Sequence, residues 1–141
     1  MLMIRDTYKL WAGYMKWVAA QAGVPDSYRM VLTFLLRHPG SSLKELAAHQ
    51  GITTAAASQT VKEMQITGYL QKQVDDQDQR YVKLYLTQKG EACAQEIRKL
   101  LAQADAQLSA RLTREREEAL AAALQELGQI IEKELPRCCD I

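Results

Sequence analysis

Residues 70–86 change the rhythm of an otherwise helical sequence, and this change constrains the fold more than any other feature. Leu70–Val74 has the length of one strand, and Tyr81–Leu86 alternates apolar and polar side chains as a half-buried strand does. The acid- and amide-rich run DDQDQ between them predicts a turn. Because an isolated hairpin is only marginally stable in water, one of its faces must rest on the preceding helices. The sequence therefore predicts a mainly α-helical chain with one small β-hairpin.

Two short helices with a tight connection lie just before this hairpin. Ser42 and Glu45 form a capping-box pattern at the start of SSLKELAAHQG, and Gly51 suits the end of that helix. Thr53 or Thr54 can cap the next helix, TAAASQTVKEMQIT. Two short helices joined by a glycine-containing turn predict a helix-turn-helix, and the hairpin that follows is its wing.

Helical patterns also extend to both ends of the chain. A first helix is predicted from Asp6, and GVPDS at residues 23–27 separates it from a second helix that ends at HPG. Thr87 caps a long fifth helix, and a sixth restarts at residues 112–113. The sixth helix has apolar residues at helical spacing: Leu120, Leu124, Leu127 and Ile131. A small domain would struggle to cover this stripe alone, whereas a twin subunit would cover it.

The composition excludes several classes of protein. The 141 residues contain no apolar run near the ~20 residues that a membrane span needs, and the start lacks the layout of a secretion signal. We therefore expect a cytoplasmic protein without a membrane partner. The three cysteines include an adjacent pair, Cys138 and Cys139, so no disulfide framework is implied. Cys93 shares no ligand spacing with the two histidines, so we expect no metal and no cofactor; it is best explained as a buried small apolar residue.

The second helix of the predicted helix-turn-helix carries the candidate DNA-contacting side chains, because this helix lies in the major groove in such motifs. The candidates at its start and on its outward side are Thr53, Thr54, Ala55, Ser58, Gln59 and Lys62. Gln59 can pair with an adenine edge through both ends of its amide, and short hydroxyl side chains can reach bases or phosphates. A helix start rich in small residues explains TAAAS without DNA, so both interpretations stay open.

Further candidate contacts with the sugar-phosphate backbone flank this helix. They are Ser41, Ser42 and Lys44 in the preceding helix, and Lys72, Arg80 and Lys83 on the wing. Helix capping explains the serines equally well. The wing cations are also what a solvated strand carries.

Two stretches together resemble the MarR (multiple antibiotic resistance regulator) family of bacterial transcription factors. They are SSLKELAAHQGITTAAASQTVKEMQITGYL and DDQDQRYVKLYLTQKG. The second is similar to the wing signature of the family, roughly D-P-R-D-R-R followed by L-x-L-T-x-x-G. LTREREEALAAALQEL also resembles the last helix of the family.

The tip of the predicted wing departs from that signature. Asp76 replaces the usual proline, and Gln77 and Gln79 stand where arginines are frequent, although Arg80 matches. Gln59 also stands where the family often has an arginine. Because fewer neutralised phosphates release fewer counterions, we expect weaker and less salt-sensitive DNA binding than in a fully basic member.

The resemblance implies the organisation of the whole chain. Residues 25–87 would form the winged helix-turn-helix DNA-binding region, and residues 1–24 and 88–141 would form a helical dimerisation region. The homodimer would read a pseudo-palindromic operator, and a small aromatic or phenolic effector would release a repressor from it. The resemblance suggests five pocket-lining residues: Trp11, Tyr14, Tyr28, Phe34 and His38. Core or dimer packing explains these aromatic residues as well.

Two other classes of function remain to be compared. Winged helices also dock proteins, and a wing tip with three aspartates suits a phosphate backbone poorly, so the alternative is a winged-helix protein-interaction module without sequence-specific DNA binding. An enzyme is not expected, because the sequence has no Gly-rich phosphate loop, nucleophile elbow or metal-ligand cluster.

Overall fold

The computed structural model describes residues 2–74 and 82–134, in two compact units, Met1–Leu101 and Ala102–Ile141. The elements in chain order are α1 (Leu2–Gln21), α2 (Asp26–Arg37), α3 (Leu43–Gln50), α4 (Thr54–Ile66), β1 (Leu70–Val74), β2 (Val82–Leu86), α5 (Gln88–Ser109) and α6 (Arg114–Glu134). The predicted fold class, mainly α with a small β-wing, is confirmed. The start of α1 differs from the prediction: the helix begins before Asp6, because residues 2–5 contain no helix breaker.

Apolar faces of all the helices of the first unit and of its hairpin meet in one core. The largest fully buried side chains are Val18, Val31, Leu32, Leu35, Leu46, Val61, Met64, Leu84 and Ile97. Each such side chain contributes about 1.5–3 kcal/mol through burial. Within the described residues no polar or charged residue is buried. The core therefore fixes which side of each helix faces inward.

The helix-turn-helix is α3 and α4, and local hydrogen bonds define where each helix begins. The Ser42 hydroxyl accepts a hydrogen bond from the Glu45 backbone N–H at 3.2 Å, and the Glu45 carboxylate accepts one from the Ser42 backbone N–H at 2.7 Å. This confirms the predicted capping box. Gly51 ends α3 with a φ of 64°, a left-handed conformation that favours glycine. Thr53 caps α4, because its hydroxyl accepts from the Ala56 backbone N–H at 3.2 Å.

The hairpin is antiparallel, with Leu70 paired to Leu86 and Val74 paired to Val82. Its predicted apolar face is buried at Leu84 and Leu86, but Val82 is exposed. The loop before α3 also pairs with β2, since the Gly40 backbone N–H donates to the Leu84 carbonyl at 2.9 Å and the Leu84 N–H donates to the Ser41 carbonyl at 2.9 Å. The predicted requirement that the hairpin rest on preceding elements is therefore met.

The second unit contains the end of α5 and all of α6. The Arg116 backbone N–H donates to the Thr113 hydroxyl at 3.4 Å, next to the start of α6 at Arg114. Leu120 and Leu124 of the predicted apolar stripe are 50% and 58% exposed in the single chain. Ile131 is also exposed, and Leu127 is half-buried. Within the described residues, the stripe is therefore largely exposed.

Candidate nucleic-acid interface

The α4 helix has one side in the core and the other in solvent. Ala57, Val61 and Met64 are buried, and their spacing of four and three residues places them on one side of the helix. The predicted contact residues Thr53, Thr54, Ala55, Gln59 and Lys62 are exposed, and Ser58 is half-buried. Small side chains at the start of the outer side leave the backbone of the first turn accessible, and the free N–H groups of a helix start attract an anion such as phosphate.

One side-chain hydrogen bond on the outer side of α4 was not predicted. The Gln59 side-chain Nε2 donates to Glu63 Oε1 at 2.9 Å, and both residues are exposed. Residues four apart lie one above the other on a helix, so this spacing was a signal that sequence reasoning could have used. Because Glu63 follows Lys62, the outer side of α4 carries a negative charge beside its positive one.

The candidate phosphate contacts around α4 have different environments. Lys44 and Lys72 are exposed, whereas Ser42 is half-buried and its hydroxyl donates to the Glu45 carboxylate at 2.8 Å. Lys83 is half-buried on β2. The wing-tip residues Gln77, Gln79 and Arg80 lie outside the described residues. The capping role of Ser42 is therefore established, and its contact with DNA stays a prediction.

The start of α5 holds the segment that leaves α4. The Thr87 hydroxyl donates to the Gly68 carbonyl at 2.6 Å, and the Thr87 backbone N–H donates to the Tyr69 carbonyl at 3.1 Å. The same hydroxyl accepts from the Gly90 backbone N–H at 3.1 Å. A Cβ atom on Gly90 would overlap the Tyr69 carbonyl oxygen, so the close approach requires glycine. These contacts give a structural reason for the T-x-x-G pattern in this chain.

Lys89 adds a second connection between the start of α5 and the end of α4. Its ammonium donates to the Thr67 carbonyl at 2.8 Å and lies 4.2 Å from the centre of the Tyr69 ring. A cation suits the C-terminal end of a helix, where unpaired carbonyls carry partial negative charge. A cation over an aromatic face is also favourable. The end of α4 is therefore fixed by charge as well as by backbone hydrogen bonds.

The five predicted pocket residues do not form one cluster of ring contacts. Trp11 and Tyr14 are neighbours on α1, with ring centroids 6.0 Å apart, and Tyr14 also stacks on Trp17 at 5.6 Å. Tyr28 is buried and meets Tyr69 edge-on at 5.8 Å. The ring contacts of Trp11, Tyr14 and Trp17 are local to α1, so helical spacing could predict them. The contact between Tyr28 and Tyr69 joins residues far apart in sequence, so spacing could not predict it.

The remaining pair of predicted pocket residues, Phe34 and His38, does come together. Phe34 is buried, and its ring centroid is 5.1 Å from that of His38 and 4.7 Å from that of His49. Sequence reasoning did not include His49 as a neighbour of this pair. Phe34 thus lies between two imidazole rings at the junction of α2 and α3.

Two pKa shifts have clear physical causes. Hydrogen bonds from the Ser42 backbone and side chain lower the pKa of Glu45, because they stabilise its charged form. Burial raises the pKa of the Cys93 thiol, because desolvation disfavours the thiolate. Cys93 is half-buried and its Sγ donates weakly to the Ala22 carbonyl at 3.7 Å. Its environment is that of a packed thiol rather than a reactive one.

Two features are absent from residues 2–74 and 82–134. No group of three or more His, Cys, Asp or Glu side chains in that part of the chain could hold a metal ion. No helix there is both long enough and apolar enough to cross a bilayer.

A helix-turn-helix followed by a β-hairpin, with the outer side of its second helix exposed, defines a winged helix-turn-helix protein. Residues 22–80 match the sequence model of the MarR family. The matched stretch includes α2, α3, α4 and β1, so the similarity to this family lies in the helix-turn-helix part of the chain. The sequence-based resemblance is confirmed.

Several solved structures share the fold over nearly the whole chain. One MarR family transcription regulator has a TM-score of 0.82 at 22% identity, covering 92% of this chain and 88% of its own. Streptococcus pneumoniae FabT in complex with DNA has a TM-score of 0.77 at 14% identity, covering 92% and 97%. A complex of S. aureus MepR with DNA also has a TM-score of 0.77, at 19% identity, covering 89% and 96%. No curated protein matches the chain.

Proposed function

We propose that the chain is a sequence-specific regulator that binds double-stranded DNA, with α4 as the recognition helix in the major groove. The observation that carries this proposal is the division of α4, whose inner side is anchored at Val61 and Met64 while its outer side is exposed. An exposed helix held rigidly by its own core is what groove insertion needs. Two of the similar proteins, FabT and MepR, are in complex with DNA in their structures, which supports the same use of the fold here.

Each candidate residue has a role that follows from its chemistry. Gln59 reads a base edge, and Thr54, Ala55 and Ser58 approach bases or phosphates around it. The residues that contact the DNA backbone are Thr53, Ser42, Lys44, Lys62, Lys72 and Arg80. At the wing tip, Gln77 hydrogen-bonds in the minor groove and Gln79 is a further DNA contact. Since the hydroxyl of Ser42 already serves the capping box, its contribution to DNA binding is the smaller one.

The regulator acts as a homodimer on a pseudo-palindromic operator. Residues 25–87 are the DNA-binding region, and residues 1–24 and 88–141 are the dimerisation region. The exposed apolar side chains of α1 and α6 support this division: on α1, Met3 is 83% exposed and Leu10 is 78% exposed. Large apolar side chains that are exposed on a helix are candidates for an interaction site. Twofold symmetry then presents two recognition helices about one DNA turn apart.

Effector control completes the proposed function, which is that of a repressor. A small aromatic or phenolic acid would bind near Trp11, Tyr14, Tyr28, Phe34 or His38 and favour a spacing of the recognition helices that does not fit the operator. The ligand can shift the equilibrium between the two conformations only by the difference between its affinities for them. Titration of simple aromatic and phenolic acids into the protein–DNA complex tests it: release of DNA is expected, and no release by any of them contradicts effector control.

The direct test of DNA binding uses the DNA upstream of the gene for this chain, in a gel shift at low salt. Wild type should bind, and the double variant Gln59→Glu/Lys62→Glu should not, because it places three more negative units of charge against phosphates. The matched control is Gln95→Glu/Lys99→Glu, which makes the same charge change at exposed positions of α5. Equal binding by wild type and the α4 variant would contradict the proposal.

Protein docking is the alternative function. The negative charge of Glu63 beside Lys62 and the 86% exposure of Ile66 on α4 both suit a protein partner better than they suit phosphates. A wild-type chain that fails to bind any duplex at low salt, but retains a protein in a pull-down that the α4 double variant loses, would establish this alternative.

A further inference from the structure

The hydrogen bond between Gln59 and Glu63 determines which end of the Gln59 side-chain amide faces Glu63. A carboxylate only accepts hydrogen bonds, whereas an amide has a donor end and an acceptor end. Glu63 Oε1 lies 2.9 Å from Gln59 Nε2, so the NH₂ end points along α4 toward Glu63. The Gln59 carbonyl oxygen therefore lies on the other side of the amide. Reversing the amide would bring two acceptor oxygens together without a proton between them, which is unfavourable.

We propose that Glu63 is a positioning residue that holds the Gln59 amide in one orientation and thereby selects adenine at one base pair of each half-site. This inference rests on the proposed DNA-binding function. In the major groove adenine presents an acceptor, N7, beside a donor, N6–H₂. Gln59 in the fixed orientation offers the carbonyl oxygen to N6 and its second N–H to N7. Guanine presents two acceptors, N7 and O6, so a fixed carbonyl oxygen meets an acceptor there and the pairing fails.

Glu63 also lowers the affinity for DNA, although it raises the selectivity for adenine. Its charge lies on the exposed side of the recognition helix, and Lys62 is the adjacent cation. A carboxylate close to phosphates weakens binding to every DNA sequence equally, because the phosphates carry no sequence information. Glu63 thus lowers overall affinity while it sharpens the choice of base. If Glu63 had a purely structural role, its substitution would change DNA affinity and base selectivity only together with folding stability.

The experiment selects DNA from a randomised double-stranded pool with the full-length chain and sequences the bound fraction. The variants are Glu63→Gln, Gln59→Ala and the control Glu126→Gln, which removes one negative charge from an exposed position of α6. Glu63→Gln keeps the size of the side chain but can accept or donate, so it no longer selects one orientation of the Gln59 amide. Gln59→Ala identifies the base pair that Gln59 reads, and denaturant unfolding checks that each variant is folded.

The expected result is specific to one base pair. Wild type and Glu126→Gln should prefer adenine there by about 5- to 150-fold, the range for a good bidentate contact. Glu63→Gln should lower that preference to about twofold, with guanine the base that gains most, and should bind the whole pool at least as tightly as wild type. Gln59→Ala should lose the preference at the same base pair.

Three results would overturn the inference. The first is an unchanged adenine preference in a folded Glu63→Gln variant that still binds. The second is a uniform loss of affinity in that variant together with a loss of folding stability, which would make Glu63 structural. In both cases wild type binds DNA, so the proposed function survives. The third is a wild-type chain that retains no DNA from the pool, which would refute the proposed function and the inference together.

Discussion

Replacing Gly90 by alanine tests the packing between the start of α5 and the segment that leaves α4. An added Cβ would overlap the Tyr69 carbonyl oxygen. Tyr69 cannot easily move away, because its backbone N–H donates to the Met64 carbonyl at 2.8 Å and its carbonyl accepts from Thr87 at 3.1 Å. Relief of the overlap must therefore strain the backbone or break a hydrogen bond.

The magnitude follows from three contributions. Overpacking costs about 1–3 kcal/mol, and loss of one backbone hydrogen bond costs a further ~0.5–1.5 kcal/mol. The gain from replacing a helical glycine by alanine offsets about 0.5–1 kcal/mol. We therefore expect Gly90→Ala to lower the free energy of unfolding by about 0.5–4 kcal/mol. Urea denaturation of wild type and variant at one fixed protein concentration measures the difference.

The matched control is Gly128→Ala in α6, where an added Cβ meets no atom within 4 Å. This variant gains helix propensity without overlap, so we expect it to be more stable than wild type by up to ~1 kcal/mol. If Gly90→Ala were as stable as Gly128→Ala, the explanation of the T-x-x-G pattern by close backbone approach would be wrong.

Two further predictions concern the capping box and the apolar stripe of α6. Since the folded-state pKa of Glu45 lies below its ordinary value of 4.5, its charged form stabilises the fold above that value, and this stabilisation is lost as pH falls through the folded-state pKa. Glu45→Gln should therefore destabilise the chain at neutral pH but progressively less in acid; a difference that is constant with pH would contradict this. Leu124→Glu should convert a homodimer into a monomer in analytical ultracentrifugation, because it places a charge in an apolar interface. The control Gln125→Glu should leave the homodimer intact. A Leu124→Glu variant that stays dimeric would show that this stripe is not part of the interface.

Features governed by neighbours in sequence were predictable here. The Ser42–Glu45 capping box depends on residues three apart, and the burial of Leu84 and Leu86 follows the two-residue period of a strand. The Gln59–Glu63 hydrogen bond has an equally local cause. The sequence-based prediction assigned Gln59 to the outward side of the helix but did not pair it with another residue on that side.

Features governed by distant contacts were not predictable from spacing. The family resemblance suggested Tyr28 as a pocket residue, whereas spacing gave no sign that its ring partner is Tyr69, forty-one positions away. His49 meets Phe34 only because the turn between α2 and α3 brings the two helices together. Helical periodicity assigns a side chain to a face, whereas its partner across the core depends on how the elements pack.

The hydrogen bonds of Thr87 have a mechanical consequence for the unit in which they lie. Thr87 and Lys89 bind the carbonyls of Thr67, Gly68 and Tyr69, all within the few residues where the chain turns from α4 into β1. An α-helix resists bending, so a tilt of α5 displaces its first turn as a whole. That displacement must either rupture these bonds or carry the exit of α4 along with it. Through these bonds Thr87 couples the orientation of the first turn of α5 to the position of the end of α4.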